Sequence, residues 1–396
     1  MHTKDLTTGS PMKLILSFML PLVFGLLFQQ VYSMVDTIVV GKFLGVDALA
    51  GVGSTGSITF LVLGLCNGVC AGFAIPVAQK FGQRDFDGLR RFVGNMIWLG
   101  CVIAAAVTLV TTLLCRQILL WMDTPADTFS YAYDYIFVIF LGIPATMLYN
   151  LLSGILRSLG DSKTPLVFLI MCSLLNVVLD IVFILTLNMG VAGAAVATVI
   201  GQFCGCGLAL YMNLRKNHDL HLRFRGFRPD WKIVGNIYAI GLPSVVMVAI
   251  GSVMTFCMNK ILITYHSAKE TAATAFGIYF KLNSFVFMPV FGLNNGVVPI
   301  VAYNYGAQNR RRMMETIKRS AIYASCIMVL GMAIFWAIPG TLVSIFNATE
   351  TMKQVAVPAL RIISLSFCTA GACIALGSSF QALGKSVYSM ITPIIR

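Results

Sequence analysis

The chain has 396 residues, of which 58% are hydrophobic and only 11% charged. A soluble domain carries about 25% charged residues, so a water-soluble protein is excluded, in agreement with a mean hydropathy of +0.85. On a soluble chain the net charge of +13 would point to nucleic acid; here its placement along the sequence decides its meaning.

Apolar windows of about 20 residues, each long enough to cross about 30 Å of hydrocarbon, run along the whole chain. They fall at 14–40, 50–79, 92–115, 131–156, 165–187, 191–214, 233–259, 272–302, 320–338 and 355–381. The reading is an all-α polytopic membrane protein with ten full spans and the start of an eleventh near Val387. The first window is too long for a signal-peptide core and lacks a small-residue cleavage site, so it is expected to be retained. With the N-terminus inside, the inner loops and the N-terminal tail hold 20 of the 28 Lys and Arg residues, Arg90, Arg91, Arg223, Arg225 and Arg310 to Arg312 among them. The excess charge therefore reports topology and contact with anionic lipid head groups, not nucleic-acid binding. None of the 11 cysteines lies in a CxxC pair, and the four histidines fall in tails or loops. A disulfide framework and a helical metal site are not expected.

An internal repeat accompanies the spans. Gly64-Leu65-Cys66-Asn67-Gly68-Val69 returns as Gly292-Leu293-Asn294-Asn295-Gly296-Val297, Leu159-Gly160 as Leu383-Gly384, and Leu20-Pro21 as Leu242-Pro243. Three matches in order at similar offsets predict two six-helix bundles related by a pseudo-two-fold along the membrane normal. Residues 1–214 would form the first bundle with the ion-coupling site, 215–232 a basic cytoplasmic linker, and 233–396 the second bundle. By the same repeat the second bundle would end near residue 438, about 40 residues beyond Arg396, so it is expected to be incomplete and the chain truncated.

Carboxylates within hydrocarbon are costly and mark functional sites. Asp36 in the first span and Asp180 in the fifth are the two acids enclosed by apolar sequence on both sides. Gln29, Tyr32, Ser33 and Asp36 share one helical face, as do Ser173, Asn176 and Asp180, so both stripes are expected to face the bundle interior. Asp36 would lie about 6 Å, Asp180 about 10 Å and Thr198 about 10 Å from the outer helix ends. Two carboxylates, an amide and a hydroxyl at that depth could form an oxygen-rich cation site, or the carboxylates could exchange protons. The second half lacks an enclosed acid and carries Lys281, Asn283, Asn294, Asn295 and Arg361 instead. Lys281 either snorkels or lines a cavity, whereas Arg361 is expected to snorkel near the outer end. Gln29, Tyr32, Asn150, Lys281 and Asn283 are the candidate cavity-lining residues. Gly64, Gly68 and Gly72, and Gly201 and Gly205, are small-xxx-small packing patterns, and Asn347-Ala348-Thr349 fits a glycosylation sequon. Without a Walker loop or nucleophile elbow, the chain offers no basis for ATP-driven transport or enzymatic chemistry.

The run from Gln29 to Thr37, followed by Gly41 and Ala48-Leu49-Ala50, resembles the first helix of MATE (multidrug and toxic compound extrusion) transporters of the MOP flippase superfamily. Asn176 to Asp180, Ala195 to Thr198, Leu159-Gly160-Asp161 and Gly306-Ala307-Gln308 resemble their fifth and sixth helices and inner loops. The resemblance implies a monomeric secondary antiporter of the cell membrane that rocks between inward- and outward-facing states, exchanging H⁺ or Na⁺ for small organic cations or drugs, with no other cofactor. In the DinF-like branch it places coupling at Asp36 and Asp180, with Asn176 and Thr198 beside them as possible Na⁺ ligands, and a hinge at Pro21. The acids that the NorM-like branch carries in its second bundle are missing here. A flippase for lipid-linked sugars of the same superfamily and a non-transporting fragment are the alternative readings.

Overall fold

The computed structural model describes residues 5–122, 124–216, 229–265, 269–346 and 349–395. Helices account for nearly all of it: α1 (Pro11–Leu44), α2 (Val46–Gly82), α3 (Phe86–Leu113), α4 (Cys115–Trp121), α5 (Ala126–Leu141), α6 (Ile143–Ser158), α7 (Lys163–Ile181) and α8 (Gly190–Tyr211) make the first lobe. The second holds α9 (Trp231–Tyr265), α10 (Lys269–Gly306), α11 (Arg310–Ala337), α12 (Pro339–Ser344), α13 (Glu350–Ser364), α14 (Phe367–Ala382) and α15 (Ser386–Ile395). Among the described residues eight helices are long and apolar enough to cross a membrane, or ten spans when each of two bent pairs counts as one. In lipid every backbone N–H and C=O must be satisfied internally, which leaves helices as the solution for such a sequence.

The bent pairs correct two expectations. The predicted spans 131–156 and 355–381 are each broken: α5 meets α6 at 45°, and α13 meets α14 at 51°. At the first break Pro144 stands in the first turn of α6 and has no N–H for the preceding turn. Arg361 accordingly stands in the last turn of α13, beside the second break, not near a span end. The connectors α4 and α12 were not anticipated from hydropathy, because helices of 7 and 6 residues leave no periodic signal of useful length. Arg223, Arg225, the four histidines and Asn347 lie outside the described residues.

The repeated Leu-Gly motif is a helix terminator. Gly160 after α6 and Gly384 after α14 have φ of 95° and 74°, the left-handed region that costs glycine least. Asp161 N–H returns to Leu156 O at 2.9 Å, and Lys385 N–H to Phe380 O at 3.0 Å, closing the exposed carbonyls. Asp161 then starts α7: its carboxylate accepts from Lys163 N and Thr164 N, both at 3.0 Å.

The repeated glycine motif forms the seam between lobes. A Cβ on Gly72 would stand 2.5 Å from Gly241 Cα, one on Gly68 3.2 Å from Ser244 O, and one on Gly292 2.4 Å from Val23. Nearer the helix ends, Gly82 abuts Tyr303 O and Gly306 abuts Gln79 O, each at 2.0 Å from the added atom. These contacts lie in the half of the molecule that carries Lys80, Arg90, Arg91 and Arg310 to Arg312, here called the basic face. Gly53, Gly56 and Gly277, toward the opposite face, would meet nothing within 4 Å. The lobes close at the basic face and diverge into a cleft beyond it.

Two crossed straps reinforce that closure. Ahead of α1, residues 5–9 dock on the second lobe: Arg312 donates to Leu6 O, Thr8 O and Gly9 O at 3.0, 2.6 and 2.8 Å, and Asn304 donates to Leu6 O at 3.2 Å. Ahead of α9, Asp230 N–H donates to Asn95 Oδ1 on α3 at 2.9 Å, while Trp231 stacks edge-on to Trp98. Each lobe thus holds the segment that precedes the other's first long helix.

Candidate functional site in the first lobe

Helix faces show where the polar stripe points. Gly25 of α1 packs on Leu166 and Leu169 of α7, and residues 29, 32 and 36 follow it at 4, 7 and 11 positions. At about 100° per residue these positions share one face, but Gln29 and the neighbouring Ser33 are exposed, so the expected polar stripe is enclosed only at Tyr32 and Asp36. Val23 and Met19, which meet α10 at Gly292 and Gly296, lie about 160° and 120° round the helix from that face. The carboxylate of Asp36 therefore faces the interior of the first lobe, and the cleft lies on the other side of α1.

Asp180 and Asn176 approach from α7. Asp180 is fully buried, Asn176 is 3% exposed and Asp36 8%. Asn176 Nδ2 donates to Thr198 Oγ1 of α8 at 3.2 Å, and Asp36 and Asp180 lie within electrostatic reach of each other. Asp36 Oδ1, both Asp180 oxygens and Asn176 Oδ1 are buried without a hydrogen-bond partner. Buried oxygens in this state are costly. Converging in one place, they form a donor set that a proton or a small cation would complete.

α1 continues to Leu44, which places Asp36 about 12 Å from that helix end instead of about 6 Å. Beyond it Val39, Val40, Ala48, Ile184, Val191 and Ala194 form a separate apolar cluster, packed by Val35, Leu44, Val52 and Tyr135. This plug seals the carboxylates from the opposite face. Directly after α7 the backbone widens into a π turn over Val182–Thr186, a local irregularity often found at functional sites.

Not every candidate belongs to the cluster. Tyr32 lies beside Gln29 and within electrostatic reach of both carboxylates. Asn150 instead donates to Thr146 O of its own helix at 2.9 Å, an ordinary intrahelical contact. Asn283 is turned into the second lobe with a buried, unpartnered Oδ1, so it does not line the cleft; Lys281 is exposed and far from the cluster in sequence and lobe. α1 runs unbroken through Pro21. That ring leaves the Ser17 carbonyl without its intrahelical donor, and Ser162 Oγ supplies one at 3.3 Å from the α6–α7 turn. Tyr135 of α5, within reach of Asp36, Tyr32 and Asp180, was missed. Its helix carries Asp127, Tyr131, Tyr133 and Asp134 besides Tyr135, and that run does not single out the one residue that reaches α1 and α7.

Two lobes of broken helices, buried carboxylates inside one of them and a cleft between them define a multi-pass membrane transport protein. The MatE family profile matches residues 21–182 and 243–396, and the chain belongs to that family. It is 24% identical to the multidrug export protein MepA of Staphylococcus haemolyticus, over 95% of this chain and 82% of that one. It is 27% identical to the probable multidrug resistance protein YpnP of Bacillus subtilis, over 79% of this chain and 69% of that one. Among solved structures it is similar to a MATE protein in the bent conformation, with a TM-score of 0.92 at 24% identity over 99% of this chain and 87% of that one. It is also similar to an outward-facing multidrug resistance MATE transporter, with a TM-score of 0.91 at 23% identity over 100% and 88% of the two chains. The last two likenesses speak to the fold.

Proposed function

We propose that the protein is a secondary multidrug efflux antiporter of the cell membrane, coupled through the first lobe as in the DinF-like branch. The basic face is the cytoplasmic one, which places the N-terminus inside, and the protein works as a monomer. The observation that carries this reading is the convergence of Asp36, Asn176, Asp180 and Thr198 with unsatisfied buried oxygens. H⁺ or Na⁺ entering this cluster relieves the mutual repulsion of two enclosed carboxylates. Because the cluster lies across α1 from the cleft, ion occupancy reaches the substrate side through the packing of α1, with Pro21 as its weak point. The lobes then rock about the glycine seam, releasing the straps as the basic face opens. Residues 1–214 and 233–396 act as the two rocking bodies, and 215–232 links them.

Transport in proteoliposomes under separately imposed Na⁺ and pH gradients tests this. Efflux of a cationic dye driven by either gradient, and lost in Asp36→Asn and Asp180→Asn, is the expected result. Gradient-driven efflux unchanged in both variants would overturn it.

A further inference from the structure

Among the described residues of the second lobe Lys281 is a charged side chain on the cleft, and its position points to a ligand chemistry. On α10, Gly292 and Gly296 meet Val23, Phe18 and Met19 of α1, and Tyr303 and Gly306 meet α2. Lys281 precedes Gly292 by eleven residues, three turns with about 20° to spare, and Phe285 lies within about 20° of the same line. The reverse face of α10 belongs to the second lobe's own core: Val286 meets Gly331 of α11, and Phe287 stacks edge-on to Phe367 of α14. Lys281 and Phe285 are both exposed, so they stand on the wall of the cleft where the lobes have parted.

Their level follows from the same register. α1 and α10 run antiparallel, since moving from Gly292 to Gly296 moves the contact from Val23 back to Phe18 and Met19. Eleven residues beyond Val23 is Met34, itself 60% exposed, so Lys281 faces α1 at the level of the carboxylate pair. It cannot pair with that pair, because Asp36 points to the far side of α1. The second lobe has only Glu270, Glu315 and Glu350 after residue 232, each in or near the first turns of its helix. Among the described residues Lys281 makes no hydrogen bond or ion pair.

We propose that Lys281 and Phe285 form an anion-receptive subsite of the cleft, which binds amphipathic aromatic compounds through a carboxylate or sulfonate. This rests on the efflux reading above and gives the wall of the second lobe a part in recognising substrates that carry an acid group. The ammonium pairs with the acid group and Phe285 with the adjacent ring. A lipid headgroup offers the same anionic chemistry, so the test separates the two sources.

Fluorescein binding to the purified full chain in phosphatidylcholine nanodiscs, followed by fluorescence anisotropy, needs no ion gradient. The expected result is that Lys281→Met weakens binding about tenfold, as loss of a charged hydrogen-bond partner does, while Lys281→Arg restores it and binding of the cation rhodamine 6G is not weakened in either. Equal fluorescein binding by wild type and Lys281→Met, or none by wild type, overturns the subsite. Displacement of fluorescein by phosphatidylglycerol included in the discs, with Lys281→Met indifferent to that lipid, assigns the lysine to a headgroup and likewise overturns it. Failure of gradient-driven efflux with Lys281-dependent binding intact counts against the antiport reading alone.

Discussion

The two lobes share a scaffold and differ in what they bury. Pro21 has its counterpart in Pro243, and at that offset Gln29, Tyr32, Ser33 and Asp36 correspond to Gly251, Met254, Thr255 and Met258. The polar stripe of α1 has no polar equivalent on α9 apart from one hydroxyl. Yet the seam glycines, the Leu-Gly terminators, the bent spans of 45° and 51° and the straps recur in both lobes. Architecture needs these elements twice because each seam contact has a symmetric partner. Ion chemistry needs them once, and a second pair of buried carboxylates would add desolvation cost without a second task.

The largest expected effect breaks the comparison at its chemical centre. Asp36→Asn or Asp180→Asn should reduce gradient-driven efflux to background, whereas Met258→Leu at the corresponding place on α9 should leave it near wild type; proteoliposome efflux measures both. Next comes the shared seam. Gly306→Val would drive a side chain into the Gln79 carbonyl, an overpacking that costs about 1–3 kcal/mol. It should hold the basic face open, and longer spin-label distances across that face would report it.

The straps give a smaller, asymmetric effect. Arg312→Ala removes three bonds from a charged donor and should lower stability by about 1.5–3 kcal/mol. Asn95→Ala removes one bond and should cost about 1 kcal/mol. Thermal unfolding in detergent ranks the pair, and equal losses would show that the straps are energetically equivalent. Smallest is the cap of α3, where Asp85 accepts from Gly88 N at 2.9 Å and pairs with Lys80 at 2.8 Å. The Lys80 hydrogen bond, then the Gly88 N–H, holds its carboxyl below the usual carboxylate range. Because the folded value is depressed, the contribution is complete above the ordinary carboxylate range and fades as pH falls toward the folded value. Asp85→Ala should therefore cost about 1 kcal/mol at neutral pH and close to nothing in strong acid, which melting curves against pH would record.

Much of this was readable from the chain because hydrocarbon imposes simple rules. Twenty apolar residues make a span, lysine and arginine sort by side, and a repeat places the spans in order. Asp36 and Asp180 were legible for the same reason, since a carboxylate enclosed by apolar sequence stands out. Asn176 and Thr198 were legible by spacing on their helices and by resemblance to a known family. Tyr135 was not, because nothing in its own segment sets it apart from Tyr131 and Tyr133 or ties it to residues on α1 and α7. Hydropathy is continuous across Gly142 and across Leu365 and marks neither helix break; Pro144, beside the first, is the sign of it that the sequence carries.

Composition and order alone determined that this is a multi-pass helical protein built on a repeat, with its two enclosed carboxylates in the first half. Only the tertiary structure decided which face each residue takes. α1 presents Asp36 to its own lobe and Val23 to the other. α10 presents Gly292 to the seam and Lys281 to the cleft, while Asn283 turns inward. The reason is geometric. A helical period states which residues share a face, but only the neighbour packed against one of them states where that face points.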